Sequence, residues 1–341
     1  MASPVSWAAH ELESVVLHKH LKVSWRVSYL ALLVGALLPD LAKLPVYGLN
    51  IGGHELLKAA DGPLYHRGWP GVGPTHSLMF GVLVAVLVHR FTRSAPWAVG
   101  MLLGQWSHVL TDTFDSVGCM VFFPFTTQHY SLGMWQYSSQ MGRYGDAASY
   151  YSGLGAVWDV FWLVVLVLVA RRALGADYFR ENVESTDDVW PWLRRRFRLS
   201  DVTLRAIFRA YVFYGSCRIF GWFLWARLLN PDRGGQYLDW SWGGPAWVDP
   251  TPPVRGATTW PGLVGVTAFG IVGVAASTWL AWRLLRRWDR RRRAAVAERP
   301  VEPVVGDPTG GRSPTITPAV LAVRSAAPIG DARRSTRPAR R

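Results

Sequence analysis

The pattern of apolar runs and polar breaks along the chain predicts a helical membrane protein. The clearest run, residues 260–282 (WPGLVGVTAFGIVGVAASTWLAW), carries no charge and is followed at once by Arg283, Arg286 and Arg287. At 1.5 Å per residue it reaches about 34 Å, enough to cross the hydrocarbon core of a bilayer. Runs at 27–38, 77–93, 96–112, 155–172 and 204–229 are shorter or contain a charge such as Asp159, Arg209 or Arg218. Taken singly, each could equally be a buried core helix. Residues 5–20 place Trp7, Ala8, Leu12, Val15 and Leu17 at roughly helical spacing, which predicts an amphipathic helix, spanning or not. The expected fold class is all-α and polytopic, with six spans plus this N-terminal helix.

Basic residues orient the spans. Placing Arg283, Arg286 and Arg287 on the cytoplasmic side and working backwards puts Arg171, Arg172, Arg194, Arg195, Arg196 and Arg198 on that side. Arg90, Arg93, Lys19, Lys22 and Arg26 follow. Every short basic cluster then falls on one face, as the positive-inside rule requires. The outer face receives 39–75, 113–154 and the Trp-rich loop 230–259, and the C-terminus is cytoplasmic.

Composition sharpens this picture. The net charge is +14, but from Arg283 onward there are 15 Arg against 5 acidic residues, so this stretch carries +10 and the rest only +4. A nucleic-acid binder would spread its charge over the folded body, so nucleic acid is not an expected partner of that body. The tail has no apolar periodicity and is expected to be disordered, available to anionic lipid or an acidic partner. Two cysteines exclude a disulfide-dense scaffold and a CxxC zinc ribbon. Nineteen Trp suit a protein with membrane interfaces. Residues 1–26 contain Glu11 and Glu13 and lack a long apolar core, so no cleaved signal peptide is expected.

All nine histidines lie between His10 and His129. His108 and Asp112 are four apart on a predicted helix and share a face at its outer end. Asp40 follows Pro39 at the outer end of the first run, and His76 stands in PTHS at the outer start of the next, ten residues after His66 and Arg67. The predicted topology delivers all of these to one membrane face, and His10 joins them if the first helix starts outside. Imidazole and carboxylate together suit zinc or manganese, and such groups at membrane depth are costly unless paired, hydrated or metal-bound. Three plainer readings stand beside this one: Asp40 ends a helix, Thr75 or Ser77 caps one, and His108 bonds to Asp112 without metal. Asp115, His54 and His129 are expected to be exposed loop residues.

The ordered trio LLVGALLPD, HRGWPGVGPTHSL and GQWSHVLTDTFDSVGCMVFFPF resembles the signatures of the YdjM-like family, described as LexA-binding, inner-membrane-associated, metal-dependent hydrolases. The resemblance covers about residues 5–125. Typical family sequences read LLPDxDH, HRGxTHS and GxxSHxxxDxxTPxGVxxxxP. They match here at Pro39 and Asp40; at His66, Arg67, Gly68, Thr75, His76 and Ser77; and at Gly104, Ser107, His108, Asp112, Gly118 and Pro124, with His10 resembling the N-terminal histidine. Ala42 and Lys43 stand where the family has a second Asp and a His, and PGVGP interrupts the second motif. If that missing pair supplies ligands, the site is altered, holds fewer metals or is inactive.

The resemblance implies a divalent metal, zinc first and manganese second, held by His10, Asp40, His76, His108 and Asp112. His66 would serve in proton transfer, and Arg67 would bind an anionic group. It also implies a bacterial inner-membrane location. Similarity of motif layout to all-helical zinc-dependent phospholipases C extends the implication to phosphoester hydrolysis, with a lipid-like substrate. The expected organisation is a hydrolase-like membrane domain at 1–176, a cytoplasmic linker at 177–203, C-terminal membrane helices at 204–285 and the basic tail at 286–341. A non-catalytic membrane scaffold or regulatory protein is the alternative, and a transporter using Asp159, Arg209 and Arg218 is the third.

Overall fold

The computed structural model describes residues 10, 12, 14–18, 27–41, 50–51, 54–55, 67–68, 72–115, 117–135, 150, 153–224 and 259–297. The described chain is mainly helical; Asn50–Ile51 pairs antiparallel with His54–Glu55, and the stretch after Asp112 up to Trp135 is turns and loop with isolated bridges at Asp115–Trp135 and Cys119–Tyr130. The helices are α1 (Tyr29–Leu41), α2 (Leu78–Thr92), α3 (Ala95–Asp112), α4 (Leu154–Ala173), α5 (Val189–Phe197), α6 (Asp201–Leu224) and α7 (Trp260–Ala297). A further helical segment includes residues 14–18.

Local chemistry sets the boundaries of the α2–α3 hairpin. Ser77 caps α2 by accepting from the Phe80 N–H at 3.2 Å, which satisfies an orphan donor of the first turn. Arg93, in the left-handed region at φ 59°, closes α2 with its N–H on the His89 carbonyl. Ser94 then caps α3 on the Trp97 N–H. At the far end of the hairpin the Trp106 indole donates to the Leu78 carbonyl at 2.9 Å.

Helix α1 lies against α3 with almost no side-chain volume between the backbones. A Cβ on Gly104 would come within 2.0 Å of the Leu32 carbonyl oxygen, and one on Gly35 within 2.5 Å of the Met101 oxygen. Gly100 and Gly104 thus form a small-xxx-small stripe of the kind that lets membrane helices approach closely. His108 and Asp112 continue that stripe at the same four-residue interval.

A second body of packing joins distant parts of the chain. Leu12, Val15 and Val16 are buried with Leu166 of α4, Phe179, Val183, Trp190 of α5 and Phe208 of α6. Residues 177–203 are therefore more than a linker, because their aromatic and valine positions close the core under the N-terminal segment. Asp187 from this stretch accepts from the Ser28 hydroxyl and from the Leu30 N–H at 3.3 Å, at the start of α1.

Burial pushes the Asp187 carboxyl from its usual 3.8 up to about 6, and the Ser28 hydrogen bond opposes the shift. A raised folded-state pKa means that the folded protein holds this proton more tightly than the unfolded chain. The contribution to stability is therefore present below about pH 4 and lost as pH rises through about 6. Thermal unfolding between pH 4 and 7 is expected to show that Asp187→Asn removes this part of the decline, and an unchanged pH profile would contradict the assignment.

Among the described residues one helix, Trp260–Arg292, is long and apolar enough by itself to cross a membrane; Tyr29–Leu41, Leu78–Thr92 and Leu154–Val169 are apolar but shorter. Helix α7 also continues to Ala297, past position 286 where the sequence predicts disorder. Arginine is a good helix former, and contacts hold this end: His89 Nε2 meets Asp289 at 3.2 Å and the Arg90 guanidinium lies 4.8 Å from the Trp288 ring centre. The remainder of the predicted tail, 298–341, lies outside the described residues.

Candidate metal centre

Five side chains predicted as ligands meet at one end of α1 and α3. His10, Asp40, His76, His108 and Asp112 are all buried, with exposures of 0–5%. They form two overlapping groups, His10–His108–Asp112 and Asp40–His76–His108, and within each group the potential ligand atoms lie within 4.8 Å of one another.

Each residue is placed by its own element. Asp40 sits in the last turn of α1, and His108 and Asp112 end α3. His76 closes a 3-10 turn, Gly73–His76, that Gln105 of α3 holds by donating to the carbonyls of Thr75 and Ser77 at 3.1 and 2.9 Å. His10 belongs to the N-terminal helical segment, where its carbonyl accepts from the Ser14 hydroxyl. Its ring stacks on that of His108 at 4.2 Å.

Asp112 is the hub. Its carboxylate lies 2.9 Å from His108 Nε2, 3.6 Å from His76 Nε2 and 3.7 Å from His10 Nε2. Arg67 Nη2 makes an ion pair with it at 2.9 Å and reaches Asp115 at 3.5 Å. The His76 ring also faces Asp40, at 3.9 Å.

The orientation of His108 bears on what the cluster can hold. Its Nδ1 lies 2.6 Å from the Ala36 carbonyl, and since a carbonyl only accepts, Nδ1 carries the proton. Nε2 then presents a lone pair to the Asp112 carboxylate, an arrangement that requires either a second proton or a cation between them. A ligating histidine whose other nitrogen donates to a backbone carbonyl has the outer support common to metal sites. Among the described residues, the Asp40 and Asp112 carboxylates face these imidazoles within the same buried volume, donors that a divalent ion would accept. The donor set, imidazole nitrogen with carboxylate oxygen, fits zinc or manganese.

The surroundings correct two expectations. Asp115 and His129, expected to be exposed in a loop, are buried at 5% and 1%. Asp115 Oδ1 accepts from the N–H groups of Val117 and Gly118 at 2.9 and 2.7 Å, with Gly118 at φ +64°. Burial raises the Asp115 carboxyl to about 7, against the pull of the Arg67 guanidinium. His129 holds the same loop through Nδ1 and the Val117 carbonyl at 3.1 Å. The Asp-x-x-Gly spacing at 115–118 was the available signal, being that of a side chain folding a turn over itself.

Arg67 is itself buried and tied to Asp112 and Asp115, with Nη1 near the Gly118 carbonyl and Cys119 Sγ at 3.4 Å. His66, Ala42 and Lys43, and the side chain of His54, lie outside the described residues. Asp159 and Arg209, the intramembrane charges of the transporter reading, have partners close by. Asp159 accepts from the Tyr150 hydroxyl at 3.0 Å, and Arg209 donates twice to the Leu174 carbonyl. The Arg218 side chain is outside the described set.

No curated protein and no solved structure matches the chain. A family profile described as YdjM inner membrane protein matches residues 8–178, a stretch that contains all five clustered residues and Arg67. That match covers half of the chain and every segment that builds the centre: the protein belongs to the YdjM family of inner membrane proteins.

Proposed function

We propose that this protein is a polytopic, metal-dependent membrane hydrolase whose centre lies at the outer interface and acts on a phosphoester of a lipid-like molecule. The observation that carries the metal part is the convergence of three imidazoles and two carboxylates, delivered by four separate segments, on one buried volume. Zinc or manganese bound there would lower the pKa of a coordinated water toward about 7 and polarise a phosphoryl oxygen.

The protein's own groups do the rest. His108, held by Ala36, and His10 and His76 present ring nitrogens to the carboxylates. Arg67 fixes Asp112 and places positive charge beside the centre, where an anionic phosphate would be favoured. His66, adjacent to Arg67 in sequence, is the proposed proton-transfer residue.

Six spans, α1, α2, α3, α4, α6 and α7, complete the reading, with the C-terminus cytoplasmic. Its support is the apolar surface these helices leave outside the core, for example Phe91 at 78%, Leu168 at 77% and Phe213 at 70% exposure. Apolar area of that extent suits hydrocarbon better than water. On this orientation Asp40, His108 and Asp112 stand at the outer ends of their helices, with His10 beside them.

The test is elemental analysis of protein purified without chelator, together with hydrolysis assays on a soluble phosphodiester and on phospholipid in mixed micelles. Stoichiometric zinc or manganese and chelator-sensitive turnover are expected. Metal-free protein would remove the hydrolase reading, and metal without turnover on either substrate would favour the scaffold.

A further inference from the structure

Among the described residues, helix α7 meets the rest of the protein at two levels, with a groove between them. At one level Gly270 and Gly273 lie against Phe122 and Phe125, and the Tyr130 hydroxyl meets Thr267 at 2.9 Å. At the other, Asp289 and Trp288 meet His89 and Arg90 at the end of α2. Between these clamps a groove of about 890 Å³ runs along α3 and α7, bedded by residues such as Val99, Leu102, Leu103, Val274 and Ala275. That volume is in the range of ligand pockets, ~300–1,000 Å³.

The groove is apolar along its length and basic at one mouth. Trp279, Trp282 and Arg286 line both the groove and an adjoining space that Arg283, Arg287 and Arg290 complete. The single carboxylate there, Asp289, is engaged by His89. The guanidiniums are drawn back toward the groove by cation–π contacts one turn up the helix, Arg283 on Trp279 at 4.5 Å and Arg286 on Trp282 at 4.6 Å. Arg283 follows the 23 uncharged residues of α7, so the mouth lies at headgroup depth.

We infer that this groove is a binding site for an anionic diacyl phospholipid, one acyl chain lying between α3 and α7 and the phosphate on Arg283 and Arg286. An acyl chain matches the apolar bed, and basic pockets between membrane helices on the cytoplasmic side select anionic headgroups. The site rests on the membrane orientation proposed above but not on the metal or on hydrolysis. Helix α3 separates the two, turning Gly104 and His108 toward α1 and Leu102 and Leu103 toward the groove.

The experiment is native mass spectrometry of the delipidated full chain titrated with phosphatidylglycerol or phosphatidylcholine of the same acyl composition, with and without chelator. Phosphatidylglycerol is expected to be retained on the order of tenfold more strongly, with or without chelator. Arg283→Gln and Arg286→Gln, both exposed changes, should each weaken its retention about fivefold and weaken that of phosphatidylcholine less, because choline offsets the charge of its phosphate. Ala275→Trp, which fills the groove, should lower retention of both lipids, with the unfolding temperature of each variant confirming the fold. Equal retention of the two lipids by the wild type, or glutamine variants that hold phosphatidylglycerol as the wild type does, would overturn the site. So would a dimer mass without lipid selectivity, which would place a second copy in the groove.

Discussion

Alanine at Asp112 is expected to empty the metal centre and to destabilise the protein by about 3–5 kcal/mol, the usual cost of removing one partner from a buried ion pair. Asp112 faces three imidazoles and the Arg67 guanidinium, at 2.9 Å for the closest of each. Without it, the Asp115 carboxylate remains beside Arg67, at 3.5 Å. Asp112→Asn separates the two effects, since it preserves volume and an acceptor oxygen while removing charge. His108→Ala should also empty the centre, because His108 is common to both ligand groups. Asp40→Ala leaves the His10–His108–Asp112 group whole, so its metal content shows which group holds the ion. Elemental analysis and thermal unfolding read both effects, and a metal content unchanged in Asp112→Ala and His108→Ala would take these residues out of the centre.

Gly104→Val should be nearly as damaging, although residue 104 is not itself one of the proposed ligands. Even the first added carbon would stand 2.0 Å from the Leu32 oxygen and 2.8 Å from the Ala36 nitrogen, both backbone atoms. No rotamer relieves such a contact, so α1 must move from α3, at or above the upper end of the ~1–3 kcal/mol that overpacking costs. The same movement draws the Ala36 carbonyl from His108, and metal content is expected to fall with stability. Gly265→Ala on α7 is the control. A Cβ there meets nothing within 4 Å, and removing a helical glycine favours the helix by about 0.5–1 kcal/mol. A Gly104→Val protein with wild-type melting temperature and metal content would show that the close approach does not govern the site.

Both predictions depend on how a local pattern became a three-dimensional centre, and the residues differ in how far they could be read. His108 and Asp112 were legible because four-residue spacing on a helix is a local property. Asp40 and His76 were reached by a longer route, in which alternating spans place helix ends on common faces and the basic clusters say which face. Arg67 was a candidate anion binder by its motif. Its ion pairs with Asp112 and Asp115 involve positions 45 and 48 residues away, and no periodicity reports a contact across that interval.

The sequence by itself determined where the apolar helices run, that a long one carries arginines after its apolar stretch, and that His10, Asp40, His76, His108 and Asp112 gather at one end. These follow from side-chain period, hydrophobicity and charge, all short-range properties of the chain. Only the tertiary structure decided that glycines bring α1 onto α3, that residues 177–203 close the core beneath the N-terminal segment, and that Ala36 turns His108 Nε2 toward Asp112. It also decided that Asp115 and His129 are buried. Each of these is settled by volume and hydrogen-bond accounting between segments far apart in sequence, where a difference of one methyl group or one carbonyl selects the arrangement.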